Sequence, residues 1–92
     1  PVLLMPIPLY QFVEGSSNPK SYQARFRDLA AATNCHLHDP LPDLIAYPLD
    51  KRRSFRFPTD IHLTPSGHEA LARSLVPAVE SALNSYDEGS RQ

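Results

Sequence analysis

The chain has 92 residues, a formal net charge of −1, 41% hydrophobic and 21% charged residues, and Cys35 as its one cysteine. That length allows one small domain burying roughly two-thirds of its unfolded surface, and the composition excludes disorder throughout. The near-neutral charge argues against generic attraction to nucleic acid or anionic membrane, no apolar run approaches the roughly 18 residues of a membrane span, and a single thiol permits no internal disulfide.

Pro1 to Leu9 is almost continuously apolar and rich in branched residues. A run without polar alternation predicts a strand covered on both faces, as in a parallel α/β sheet. Pro6 and Pro8 have no amide donor, so the ladder is expected to end near Met5. Pro1-Val2 already falls inside the strand pattern without an initiator Met, so the chain reads as cut from a longer one. Tyr10 to Asn18, with Gly15-Ser16-Ser17, reads as a connection.

Asn18 as a cap and Pro19 at the first helical position predict a helix. Its stripe is Tyr22, Phe26, Leu29, Ala30 and Thr33, and Asn34 is the expected left-handed terminator. Cys35 to Asp39 reads as a short strand, with Cys35, Leu37 and Asp39 on one side and His36 and His38 on the other. Pro40 to Pro58 reads as a long, proline-rich loop with a basic knot at Lys51-Arg52-Arg53, interrupted at most by a short strand around Ser54 to Phe57. Loops this long inside a compact domain are often functional.

The last element is the clearest. Thr64 is a cap, Pro65 fits the first helical position, and the helix is expected to run to about Ser85. Its stripe is His68, Leu71, Ala72, Leu75, Val79, Ala82 and Leu83, with a bend at Pro77. Residues 87–92 read as a polar tail. The order strand, helix, strand, long loop, helix is half of a doubly wound α/β domain, expected over residues 1–86.

The chemistry concentrates in Phe57-Pro58-Thr59-Asp60-Ile61-His62-Leu63-Thr64-Pro65-Ser66-Gly67-His68. Here a carboxylate and an imidazole precede a helix N-terminus. A serine hydrolase needs a histidine base near neutral pKa and a carboxylate that orients its ring. This stretch resembles the last block of SGNH/GDSL-type hydrolases, where an acid and a histidine precede a helix beginning Pro-x-Gly-His. Leu71-Ala72 to Leu75 is similar to that family's final helix, and Val2-Leu3-Leu4-Met5-Pro6-Ile7-Pro8 to its late central strand.

The resemblance implies a C-terminal segment of a flavodoxin-like, three-layer α/β fold. It implies ester hydrolysis or O-acyl transfer through an acyl-serine, on a small-molecule or carbohydrate ester. No cofactor, metal, nucleic acid or membrane is implied. His62 would be the base and Asp60 the acid. The commoner family spacing puts the acid three residues before the histidine, where this chain has Thr59. No Gly-Asp-Ser nucleophile block, Gly-x-Asn-Asp oxyanion block or Gly-x-Ser-x-Gly elbow is present. Ser16, Ser17, Ser54 and Ser66 read as loop or cap residues. The chain alone is therefore expected to be inactive and to pack with a missing N-terminal half.

Simpler readings stand beside this one. His62 can be a polar residue at a helix start, held by Asp60, and His68 is expected to pack or hydrogen-bond there rather than react. His36 and His38, with Asp39 and His62, are conceivable zinc ligands at a spacing that matches no zinc signature. Lys51, Arg52, Arg53 and Arg56, interleaved with Phe55 and Phe57, read first as a solvated loop, then as a grip for phosphates or single-stranded nucleic acid, or a lure for an anionic substrate. The rival function is a noncatalytic α/β interaction module, covered by another chain or by self-association.

Overall fold

A computed structural model describes residues 2–90, so Pro1 of the expected first strand and residues 91–92 of the expected tail lie outside the described residues. The architecture is mixed α/β. Strand β1 (Leu3–Leu4) leads through a short helix α1 (Tyr10–Val13) and a long helix α2 (Lys20–Thr33) to β2 (His36–Leu37). Helices α3 (Leu41–Ile45) and α4 (Leu49–Arg53) precede a hairpin of β3 (Arg56–Phe57) and β4 (Asp60–Leu63), and α5 (Pro65–Ser90) closes the chain.

β1 and β2 pair in parallel, Leu3 opposite His36 and Leu4 opposite Leu37. The amides of His36 and His38 donate to the carbonyls of Val2 and Leu4, each at 2.9 Å. The ladder stops before Pro6, as expected from the missing amide. Tyr10–Val13 is one helical turn, not plain loop, and ends at Gly15 with φ 83°, a conformation that costs glycine nothing.

The limits of α2 agree with the sequence signals. Asn18 Oδ1 accepts from the Lys20 amide at 3.0 Å. At the other end Asn34 adopts φ 54°, ψ 44°, and the amides of Asn34 and Cys35 return to the carbonyls of Ala31 and Ala30. That pattern is a Schellman closure. The expected buried stripe is corrected in part: Ala30 is buried, Tyr22 and Phe26 are half-buried, and Leu29 is exposed. α1 meets α2 through a Phe12–Tyr22 ring contact at 4.8 Å, near the start of α2 and two turns before Leu29.

The largest correction concerns residues 40–58. The expected loop contains α3 and α4, and Leu41 and Leu44 of α3 are among the most buried side chains. Its prolines do not break these helices because they occupy their starts, where no amide donor is needed. Pro40 and Pro48 are the caps, and Pro42 lies in the first turn. Asp39 Oδ1 accepts from the Leu41 amide at 3.0 Å and aims α3 into the core.

α5 starts as expected, with Thr64 Oγ1 accepting from the Gly67 amide at 3.2 Å. It runs to Ser90, past the expected Ser85 and through Pro77. Its buried stripe is Gly67, Ala70, Leu71, Ser74 and Ala82. His68, Ala72, Val79 and Leu83 of the expected stripe are exposed, and Leu75 is half-buried. Small residues let the helix approach the hairpin closely, which a count of large apolar residues does not detect. Val13, Leu41, Leu44, Phe55, Ala70 and Leu71 make the core. The remaining large residues of α5, Val76, Val79, Leu83 and Tyr86, form an exposed row spaced three, four and three apart.

Two measurements check this packing. A Cβ on Gly67 would collide with the Phe55 carbonyl oxygen, so Gly67→Ala is expected to destabilise the fold by about 1–3 kcal/mol in denaturant melts. Unchanged stability would show that the helix does not sit on that carbonyl. The Tyr22 hydroxyl is closed off from solvent without a hydrogen-bond partner. Burial, then the Asp39 charge, pushes its pKa up to about 12. The folded state holds this proton longer than the unfolded one, so stability falls as pH rises from the ordinary tyrosine range through the raised value. Tyr22→Phe is expected to flatten that alkaline decline; an identical decline in both proteins would contradict the assignment.

Candidate functional site

The hairpin that carries Asp60 and His62 turns at Pro58-Thr59. Phe57 pairs with Asp60, but Arg56 pairs with Leu63 rather than Ile61. Ile61 and His62 are therefore extra residues on β4, in a bulge that removes them from the ladder. Bulges re-aim side chains and leave an unpaired amide behind. Here that amide is His62 N–H, and Asp60 Oδ1 accepts it at 2.9 Å.

The same oxygen lies 2.5 Å from His62 Nδ1. Hydrogen bonds from the His62 amide first, and then from its ring, hold the Asp60 carboxyl below its ordinary pKa. An ionised carboxylate only accepts, so Nδ1 carries the ring proton. In the neutral ring Nε2 is then the acceptor. Both side chains are open to solvent, His62 at 81% and Asp60 at 53% of full exposure. The pair is thus set at the surface.

The base of the hairpin is fastened to α5. Thr64 donates its amide to the Phe55 carbonyl at 2.9 Å and its hydroxyl to the Ser54 carbonyl at 2.6 Å. Because Thr64 also caps the helix, the position of β4 is fixed by the helix start two residues after His62. Beside β4, a small apolar groove of about 80 Å³ runs between Ile61 and Leu63 and the segment leaving β1 at Ile7 to Tyr10. β4 therefore lies at the carboxyl end of the parallel pair, the edge where open α/β sheets bind ligands.

Other singled-out residues fall elsewhere. Thr59 is a turn residue with no carboxylate to offer. The Ser16 hydroxyl donates to Gln11 O and that of Ser54 to Lys51 O. Among the described residues no serine is bonded to the His62 ring. His68 is exposed, against the expectation that it packs. His36 is exposed while His38 is half-buried, and Asp39 is committed to Leu41 N and Gln23 Nε2, so these three do not converge with His62.

The basic knot is divided. Arg52 donates to the carbonyls of Tyr47 and Val13, each at 2.9 Å. Arg56 makes a two-pronged pair with Glu14 at 2.7 and 3.1 Å and lies 4.2 Å above the Tyr10 ring. Both are spent on the fold, which corrects the expectation of a solvated loop for these two residues and takes them out of the alternative phosphate grip. Lys51 and Arg53 alone are exposed.

Sequence reading missed one polar cluster. Ser74 Oγ donates to Asp43 Oδ2 at 2.6 Å and meets His38 Nε2 at 2.7 Å. The hydroxyl's one proton faces the carboxylate, so the imidazole donates to it. A nucleophilic serine needs the reverse, its proton on the imidazole and the carboxylate on the far ring nitrogen. This cluster ties α3 and α5 to β2. The signal was available only as a serine at a helix position that the hydropathy stripe had assigned to solvent.

Comparison with protein-family models, with curated proteins and with solved structures finds no match to this chain.

The order of causes at Asp60 gives a test. Its carboxylate stabilises the fold above the unfolded-state pKa, and this contribution is lost as pH falls through the lowered folded value. In a carboxyl-carbon titration Asp60 is expected to titrate below the ordinary carboxylate range. His62→Ala removes the ring bond and keeps the amide bond, so the titration should move up only part of the way. A full return to the ordinary range would contradict the double role of Oδ1.

Proposed function

We propose that this chain supplies the acid–base side of an SGNH/GDSL-type ester hydrolase or O-acyl transferase, within a flavodoxin-like, three-layer α/β fold. The observation that carries this reading is the Asp60–His62 pair, with Nδ1 bound to the carboxylate and Nε2 free at the surface. In this reading Nε2 takes the proton of a serine hydroxyl supplied by polypeptide outside these residues. The serine oxygen attacks the ester carbonyl. The imidazolium then returns the proton to the departing alcohol, and Asp60 holds the ring and stabilises its charge. Water or an acceptor hydroxyl, deprotonated by the same Nε2, releases the acyl group.

The surroundings support a larger fold. A parallel pair is ordinarily covered on both faces, whereas Val2 beside β1 is 57% exposed. The exposed α5 row from Val76 to Tyr86 is a second apolar surface that further layers would cover. That row also favours the rival reading, a noncatalytic interaction module, which needs a partner there and no chemistry at His62.

The natural full-length polypeptide containing these residues separates the two. It is expected to hydrolyse p-nitrophenyl acetate and to be labelled on serine by a fluorophosphonate. His62→Ala is expected to lower kcat by roughly 10²–10⁴-fold, and Asp60→Ala to lower it less. Equal activity in wild type and His62→Ala, or no serine labelling, would dismiss the hydrolase reading.

A further inference from the structure

A cleft of about 550 Å³ opens between α3 and α5, on residues that the acid–base pair does not use. Asp43 of α3 and Tyr47 just beyond it line one side, Ser74 and Pro77 of α5 the other, and His38 past the end of β2 joins them. The volume lies in the range of small-molecule sites. Ser74 is 7% exposed, whereas the Asp43 side chain is 59% exposed. The polar chain from His38 through Ser74 thus ends on a carboxylate that is open to the cleft.

Two acceptors there are unfilled. Asp43 Oδ2 accepts from the Ser74 hydroxyl at 2.6 Å, whereas among the described residues nothing donates to Oδ1. The second acceptor is the Arg73 carbonyl, because Pro77 lies inside α5 and has no amide to give it. Arg73, Ser74 and Pro77 all line the cleft, so this interrupted turn is part of its wall. The Arg73 guanidinium is drawn one turn back toward the helix start by Glu69, at 2.6 Å, and its charge is balanced there. The Tyr47 ring, set edge-on against Phe55, adds an aromatic surface of the kind that attracts cations.

These features suit a donor-rich cation. A metal ion fits them poorly: calcium or magnesium takes about six or more oxygens, and among the described residues no three His, Cys, Asp or Glu side chains gather to hold one. A guanidinium fits poorly as well, since its two-pronged pairing needs both carboxylate oxygens and Ser74 holds one of them. A primary ammonium needs only single acceptors in separate directions, which Oδ1 and the Arg73 carbonyl offer. Ala70, Pro77 and Ala78 lay an apolar surface beside them for a carbon stem. We propose that this cleft binds a primary ammonium group carried on an unbranched alkyl stem, with Asp43 and the Arg73 carbonyl as its acceptors. The site does not depend on the ester-hydrolase reading, whose residues lie outside the cleft.

The test is titration of the natural full-length polypeptide with n-butylammonium, read by amide and methyl NMR. Shifts are expected to centre on Tyr47, Ala70 and Ala78. Butylguanidinium, tetramethylammonium and butanol are each expected to bind roughly tenfold more weakly. The first lacks a second free carboxylate oxygen to pair with, the second lacks a donor, and the third lacks charge. Asp43→Asn is expected to weaken butylammonium binding by roughly tenfold or more, with the Leu41 and Leu44 methyl signals as a control of folding. Pro77→Ala returns an amide to the Arg73 carbonyl without altering any charge, and is expected to weaken binding by roughly threefold or more. Acetyl-lysine methylamide beside butylammonium separates the two sources of such a stem. Tighter binding of the first marks the lysine side chain of a peptide, and of the second a free amine; either keeps the site.

Unchanged affinity in either variant would overturn the proposal. Butyrate binding as tightly as butylammonium would overturn it too, by assigning the cleft to Arg73 and an anion. Absence of shifts at Tyr47, Ala70 and Ala78 would show the cleft to be closed in the full-length polypeptide, and would end the proposal as well. None of these outcomes involves His62. Failure here therefore leaves the hydrolase reading in place, and loss of the hydrolase reading leaves this site.

Discussion

The backbone at Ser54 and Phe55 is where this structure is held together. The Phe55 ring is buried in the core, its carbonyl accepts the Thr64 amide, and the neighbouring Ser54 carbonyl accepts the Thr64 hydroxyl. Thr64 in turn caps α5 through the Gly67 amide, and Gly67 has no side chain to hold the helix away from that carbonyl. Three elements therefore share one small junction: the end of α4, the base of the hairpin and the start of α5. Burying the Phe55 ring contributes about 1.5–3 kcal/mol, and the junction uses it to fix a strand that is itself exposed.

That rigidity matters because β4 has little of its own. Asp60, Ile61 and His62 are exposed, and their ladder is interrupted by the bulge. Without the junction, a four-residue strand with two unpaired residues would not keep one geometry. With it, the bulge takes the His62 amide out of the ladder, and Asp60 Oδ1 accepts it. Once that oxygen is drawn to the His62 amide, it is also placed for the ring. The placing of the ring against Asp60 is thus tied to a backbone irregularity.

Local signals in the sequence located the ends of elements well. Asn18, Asn34, Thr64 and Pro65 act on their own neighbours, so their roles did not depend on the rest of the fold. Asp60 and His62 were legible for the same reason, being two residues apart and bonded to each other. The segment from Pro40 to Pro58 was not legible, because its prolines suit both a loop and a helix start, and the choice is made by Leu41 and Leu44 reaching a core built from distant residues. Large apolar residues on α5 misdirected the expected stripe, since Gly67, Ala70 and Ser74 face inward for their small size. Arg52 and Arg56 read as free charge because their partners, Val13 and Glu14, lie 39 and 42 residues away. The bulge at Ile61 and His62, opposite the step from Arg56 to Phe57, has no signal in composition or spacing.

A scalar coupling across the hydrogen bond, between the Asp60 carboxyl carbon and His62 Nδ1 in uniformly labelled protein, measures the central contact without reference to any activity. A resolved coupling to Nδ1 and none to Nε2 is the result expected from one oxygen holding both the amide and the ring. Coupling to Nε2, or none to either nitrogen while the His62 amide remains bonded, would mean that the imidazole is not oriented by Asp60.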